Sequence, residues 1–259
     1  MNHSQSQTLT QGSDQDTQGD QLDTMSMSTD KQSASSLMTS NKFEVLQNQR
    51  VIKNEFYKAA QKFNFKWKNG LKYLRENNLI PDPAEDFKGH VKGIVTFLKT
   101  TNNLDKTAIG EFLGVDAELN KACLTEFIFQ YDLRNKPFVE SLRTVLLGFR
   151  LPGEGQIVDR MMECFGEKFV QDNPKGSDQV QGEMSAECVF LLSYATMMMQ
   201  TSLHNPNAAK SRMTVDDFAK MVKGINSQKN LEPEFIQKIY ETVEREPFTL
   251  NEDEDARIK

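Results

Sequence analysis

Cysteine is scarce in this chain of 259 residues: Cys123, Cys164 and Cys188 are an odd number at wide intervals. That spacing excludes a disulfide framework, and each lies in a helical pattern, so reduced core or near-core thiols in a cytoplasmic protein are expected. Histidine is equally scarce. His3, His90 and His204 have no metal-ligand spacing with cysteines or carboxylates, so no metal site and no cofactor are expected. No apolar run approaches the roughly 20 residues that span a bilayer. The N-terminus lacks the basic start and apolar core of a signal peptide, and Asn2 breaks the myristoylation pattern. Basic charge is in deficit, with 31 Lys and Arg against 37 Asp and Glu, a net charge of −6 and a pI near 5.3. This balance argues against a general nucleic-acid binder. Aromatic residues are missing from residues 1–40, where Lys31 is the only Lys or Arg and Ser, Gln, Thr and Asp abound. Such a segment buries too little apolar surface to offset its chain entropy, so residues 1–41 are expected to be disordered.

Period-two alternation is also missing, whereas apolar residues at steps of three and four run through residues 42–250. This stretch is one globular unit, large enough for a proper core, followed by an acidic, solvated tail over 251–259. Phe43, Leu46, Ile52, Phe56 and Ala60 outline a long first helix. Asn69-Gly70 opens a short second one over 71–77. Pro81-Asp82-Pro83 is a connector, with Pro83 suited to an early helical position. Phe87 to Leu98 gives a third helix, and Asp105 caps a fourth that ends at Gly114. Leu119, Cys123, Phe127 and Tyr131 mark the fifth. The sixth covers 138–149, the seventh 156–170 and the eighth 185–203, with a loop over 172–182. Thr214 caps a ninth, and 232–245 is the tenth. The class is all-α, about ten short helices joined by short loops.

The chain is organised around residues 149–163, Phe-Arg-Leu-Pro-Gly-Glu-Gly-Gln-Ile-Val-Asp-Arg-Met-Met-Glu. Pro152 stops the sixth helix, because it has no N–H to donate and disfavours helical geometry at Leu151. Gly153 and Gly155 bracket one carboxylate, and flanking glycines leave a free backbone and little bulk around it. Glu154 then sits at the tip of a tight inter-helix turn. By itself such a glutamate also fits a charge at a helix N-terminus that complements the dipole.

The eighth helix carries Tyr194-Ala195-Thr196-Met197-Met198-Met199-Gln200-Thr201-Ser202-Leu203-His204-Asn205-Pro206-Asn207. Methionines at helical spacing usually fill a core. Three in a row, however, occupy several faces, and methionine suits an adaptable groove for a partner that changes shape. Pro206 ends the helix.

Together the two stretches resemble the two signature motifs of the Sec-seven domain, the catalytic module of guanine nucleotide exchange factors for Arf-family small GTPases. The resemblance covers about residues 43–250. It includes Lys62-Phe63-Asn64 with Gly70 and Leu74, and Arg245-Glu246-Pro247-Phe248. It implies an elongated right-handed array of ten helices, with Glu154 as a glutamic finger that enters the nucleotide site of the GTPase. It also implies that Gln156, Asp159 and Met162 of the first motif, and Phe190, Tyr194, Met197, Met198, Ser202, His204 and Asn205 of the second, receive the GTPase switch regions. The chain departs from the family pattern at Gly155, where alanine is usual, and at Gln200, where asparagine is usual. Ala208-Ala209-Lys210-Ser211-Arg212 is one residue longer than usual.

Exchange of this kind makes no covalent bond. The resemblance implies a GTPase regulator in vesicle trafficking, cytoplasmic and recruited peripherally to Golgi, endosomal or plasma membranes. No lipid-binding domain follows the helical unit, so the expectation is a fragment of a larger exchange factor or a stand-alone one recruited by partners. The rival is a helical scaffold that binds a small GTPase or another partner without activity. No Ser-His-Asp or Cys-His constellation follows from the spacing, which argues against a hydrolase.

Overall fold

The computed structural model describes residues 47, 49–174, 184–205 and 212–248. The expected disorder over 1–41, most of the loop over 172–182, Pro206, the 208–211 stretch and the acidic tail lie outside these residues. The chain divides into two compact units, Met1–Val51 and Ile52–Lys259. The first is described at residues 47 and 49–51, which are helical.

The second unit is all-α, as its periodicity predicts. Its helices are α1 (residues 52–65), α2 (Trp67–Glu76), α3 (Phe87–Thr100), α4 (Lys106–Gly114), α5 (Glu118–Phe129), α6 (Phe138–Leu146), α7 (Gly155–Asp172), α8 (Ala186–His204), α9 (Val215–Met221) and α10 (Pro233–Arg245). Among the described residues there is no strand, only an isolated bridge between Asn226 and Lys229. No described helix is long and apolar enough to cross a membrane.

The predicted caps form. Asp105 accepts from the Thr107 N–H at 2.8 Å. Thr214 and Asp217 satisfy each other's backbone donors in a capping box. Three boundaries differ from expectation. Helix α2 begins at Trp67 and carries Gly70 in its middle, because α1 and α2 cross there: a Cβ on Gly70 would lie 2.5 Å from the Cβ of Phe63. Pro83 sits in a turn, and α3 begins only after Asp86, whose carboxylate accepts from Gly89 N at 2.8 Å. Helix α6 ends at Leu146, well before Pro152, so the proline is not what stops it.

Helix α7 packs on α8, α8 on α10 and α10 on α9; on its other side α7 packs on α5, which carries α3 and α4. Two aromatic clusters anchor this stack. Phe63 meets Phe97 and Phe112 edge-on, with centroids 5.8 and 6.0 Å apart. Phe138 meets Phe169 at 5.8 Å across the α6–α7 contact. Such pairs each contribute about 0.5–1.5 kcal/mol beyond their buried area. The chain after α10 is tied down as well. Arg143 donates to the carbonyls of Pro247 and Glu246 at 2.6 and 2.8 Å, and Gln200 accepts from Phe248 N at 3.1 Å.

Candidate functional site

Glu154 is the N-cap residue of α7, in extended geometry (φ −90°, ψ 122°). Its backbone carbonyl accepts from Ile157 and Val158 N–H at 3.0 and 3.2 Å, but its side chain makes no capping hydrogen bond. A capping carboxylate would spend an oxygen on the N–H groups of the first turn. This one is exposed and leaves them unused. A Cβ built on Gly153 or Gly155 would meet nothing within 4 Å, and among the described glycines only Gly224 has positive φ. The flanking glycines therefore answer no steric or backbone demand of this turn. What they do is keep bulk away from the carboxylate.

The turn itself is held from beneath. After α6 the chain lies along α4, where Arg150 N–H donates to the Lys106 carbonyl at 2.9 Å. One turn further along α4, Gly110 receives the Arg150 carbonyl so closely that a Cβ would stand 1.9 Å from that oxygen. Arg160, one and a half turns into α7, donates to the Gly114 carbonyl and pairs with Asp116 at 3.5 Å. Asp116 in turn holds Lys121 at 2.5 Å, a bond that keeps its carboxyl below the usual carboxylate range. A pocket of about 420 Å³ opens beside Glu154, lined by Trp67, Glu111, Asp116, Pro152, Gln156 and Arg160 among others.

Helix α8 runs beside α7. Its buried stripe is Cys188, Leu192, Ala195, Met199 and Leu203. Its outer stripe is Leu191, Met198, Thr201 and Asn205, exposed, with Phe190, Tyr194 and Met197 half-buried. The methionine run thus divides: Met199 is fully buried, whereas Met198 is 56% exposed. Phe190 and Tyr194 meet edge-on at 5.3 Å. The Tyr194 hydroxyl donates to the Asp159 carboxylate and lies 3.5 Å from the Gly155 carbonyl, so α8 touches the turn that carries Glu154. Burial first, and then the bond to Asp159, push this hydroxyl well above the ordinary tyrosine range.

Of the residues expected to meet a partner, Gln156, Asp159, Phe190, Tyr194, Met197, Met198 and Asn205 have surface on this side of α7 and α8. Met162 does not. It is completely buried in the core, since position 162 follows the inward stripe of α7, and direct contact is not open to it. Ser202 and His204 are engaged within the domain. Ser202 Oγ accepts from Met213 N at 2.8 Å, and His204 Nε2 lies 2.7 Å from the Val243 carbonyl, so it donates to α10. Sequence reasoning passed over Trp67, Gly110, Asp116 and Arg160. Their roles come from contacts across the fold; only the four-residue spacing of Gly110 and Gly114 gave a local sign. Among the described residues no group of three or more metal-binding side chains occurs.

The helical domain thus sets an exposed glutamate, unused by its own helix, beside a face of aromatic and methionine side chains. The family model of the Sec7 domain matches residues 52–248, and the chain belongs to that family. Brefeldin A-inhibited guanine nucleotide-exchange protein 1 of Mus musculus is 35% identical over 219 residues, 83% of this chain and 11% of the relative. Brefeldin A-inhibited guanine nucleotide-exchange protein 3 of Arabidopsis thaliana is 33% identical over 208 residues, 80% of this chain and again 11% of the relative. The chain therefore spans about a ninth of the length of these curated relatives. Among solved structures, the Sec7p catalytic domain is 29% identical with a TM-score of 0.65, covering 74% of this chain and 94% of that one. A Sec7 domain bound to ARF1-GDP and complexed with brefeldin A is 31% identical with a TM-score of 0.65, covering 79% and 97%.

Proposed function

We propose that this domain is a guanine nucleotide exchange factor for an Arf-family GTPase, with Glu154 as the group that expels the nucleotide. One observation carries the reading: Glu154 stands at the N-cap of α7 with its carboxylate exposed and unused by the helix. Family membership supports it, as does the solved relative that holds ARF1-GDP. Gln156, Asp159, Phe190, Tyr194, Met197, Met198 and Asn205 form the face that receives the GTPase. Met162 supports that face from within the core.

The carboxylate works by charge. Placed beside the β-phosphate it repels the phosphate and competes for the lysine and magnesium that hold it. Two unit charges about 4 Å apart interact by roughly 1 kcal/mol in water and roughly 4 kcal/mol at an effective dielectric near 20. The larger figure corresponds to about two to three powers of ten in a dissociation constant. The groove supplies the rest by binding the switch regions in a shape incompatible with bound nucleotide. Such a regulator would act in vesicle trafficking on the cytoplasmic face of a Golgi, endosomal or plasma membrane.

The test is Glu154→Lys, assayed for GDP release from an Arf protein at saturating domain and paired with a thermal melt. Expected is a melt within about 0.5 kcal/mol of the parent and release slowed at least about a hundredfold, with the GDP-bound partner still held. Normal release from the folded variant would remove Glu154 from the mechanism. No release by the parent domain, with the GTPase still bound, would instead leave the inactive scaffold.

A further inference from the structure

The overall acidity of the chain hides one basic face. Residues 58–72 read Lys-Ala-Ala-Gln-Lys-Phe-Asn-Phe-Lys-Trp-Lys-Asn-Gly-Leu-Lys, with five lysines and no acid, in a chain of net charge −6. Lys58, Lys62, Lys66, Lys68 and Lys72 are all exposed at the corner where α1 turns into α2. At the apex of that corner stands Phe65, 87% exposed, the barest of the large apolar side chains described. The fold enforces this exposure. Asn64 ties the corner to the α3–α4 connection, donating to the Asn103 carbonyl at 2.7 Å and accepting from Asp105 N at 2.9 Å. Lys66 is held extended at the N-cap of α2 (φ −159°, ψ 113°). Phe63 takes the inward position and is fully buried, which leaves Phe65 pointing away.

Below the apex, α1 and α2 enclose a recess of about 510 Å³, rimmed by Lys62, Phe65 and Lys72. The acids nearby are already engaged. Glu55 accepts from Lys58 at 2.7 Å and from the Tyr73 hydroxyl at 2.5 Å, and Glu76 pairs with Lys72 at 3.6 Å. Among the described residues Lys62, Lys66 and Lys68 form no ion pair; Lys62 and Lys68 lie instead over the Tyr73 and Trp67 rings, each at 5.2 Å.

An exposed aromatic ring in a ring of lysines is matched by a surface that is apolar inside and negative outside. We infer that the α1–α2 corner docks on an anionic lipid bilayer, Phe65 entering the interface while the lysines meet the headgroups. A bare phenylalanine ring gains by burial at the boundary between headgroups and acyl chains, and clustered lysines near an anionic leaflet each add attraction that falls off within a Debye length. An acidic protein would satisfy the lysines but gives no reason to hold a bare phenylalanine at the apex. The inference is independent of nucleotide exchange.

The experiment is co-sedimentation of the full chain with vesicles of phosphatidylcholine alone or with about one-third phosphatidylserine. The expected result is binding to the anionic vesicles only, lost as salt rises from about 0.1 to 0.5 M. Phe65→Ser is expected to weaken it about tenfold or more, and Lys66→Glu with Lys68→Glu to abolish it. Both variants change exposed side chains, so their melts and their solution exchange rates should match the parent. Equal binding to neutral vesicles overturns the inference, as does unchanged binding by both variants. So does failure to sediment with anionic vesicles, including the case in which polyglutamate is bound instead.

Discussion

Tyr194 on α8 donates its hydroxyl to Asp159 on α7, and the same oxygen lies 3.5 Å from the carbonyl of Gly155. This contact joins α8 to the turn that carries Glu154. A tyrosine between two packed helices is ordinarily a packing residue with a wet tip. Here the tip is spent on a carboxylate in the second turn of the neighbouring helix, and such charge-assisted bonds are about twice as strong as neutral ones. Helices α7 and α8 are thus braced against each other beside Glu154.

The methionines separate surface from core. Met198→Asp puts a charge where the side chain is largely solvated, so the melt should stay close to the parent while GTPase affinity falls about tenfold or more, because the charge must be desolvated on docking. Met162→Ala should do the reverse. It opens a cavity in the core at a cost of about 2–5 kcal/mol, with exchange per folded molecule largely kept. Urea unfolding and titration with the GTPase distinguish the two. Equal stability loss from both would place Met198 in the core.

Gly155→Ala should be stabilising. The site has open space around it and no positive φ, so alanine enters without a clash and reduces the freedom of the unfolded chain. A gain of about 0.4–1 kcal/mol is expected, with exchange retained. A loss in calorimetry would mean that the turn needs glycine after all.

Gly110→Ala should be costly. Its new methyl group would meet the backbone carbonyl of Arg150, which cannot rotate away as a side chain would. Overpacking of this kind costs about 1–3 kcal/mol. Because the displaced strand leads into Glu154, nucleotide release measured where the variant is fully folded should also fall. A drop in stability with unchanged release would show that the α4 contact supports the fold without aiming the carboxylate.

Alkali should weaken the domain. Burial pushes the thiols of Cys123 and Cys164 up to about 12 and that of Cys188 up to about 11. An unfolded thiol titrates near about 8.5. Stability from these raised groups is fully present below that value and is lost as pH climbs through the folded values. The Tyr131 hydroxyl, pushed up to about 12 by burial, acts in the same direction. Lys99 opposes them. Burial lowers its ammonium from 10.5 to about 8, so its contribution to stability rises between those values. Four groups against one give a net fall between about pH 9 and 11. Urea midpoints across that range check it, and Cys123→Ala should flatten the slope. A midpoint that rises with pH would refute the assignment.

Much of this was legible in sequence because the signals were local. Caps at Asp105 and Thr214 act within three residues, and the apolar period of α3 reports directly which face is buried. The illegible parts depend on contacts across the fold. Pro152 looks like the stop of α6, yet the chain leaves the helix earlier, with Gly148 N bonded back to the Val145 carbonyl. Asn69-Gly70 looks like the start of a helix, yet Gly70 lies inside α2 as a crossing point against Phe63. Met162 belongs to a motif that the resemblance assigns to the partner, but only its position on the inner stripe of α7 decides that it is buried. Glu154 was conspicuous in sequence through its bare flanks, whereas its lack of a capping bond could be seen only in three dimensions.

On α8 the exposed Met198 and the fully buried Met199 are adjacent. A helix turns by about 100° per residue. One residue inserted ahead of Met197 would therefore rotate everything after it by that angle, carrying Met198 into the buried place of Met199 and Met197 into the exposed place of Met198. Tyr194 would keep its grip on Asp159 while Ser202 and His204 swung away from Met213 and Val243. Drift in the length of this helix is thus restricted to near-whole turns, three or four residues at a time. Related chains that differ in length can absorb a single-residue change only beyond its two ends.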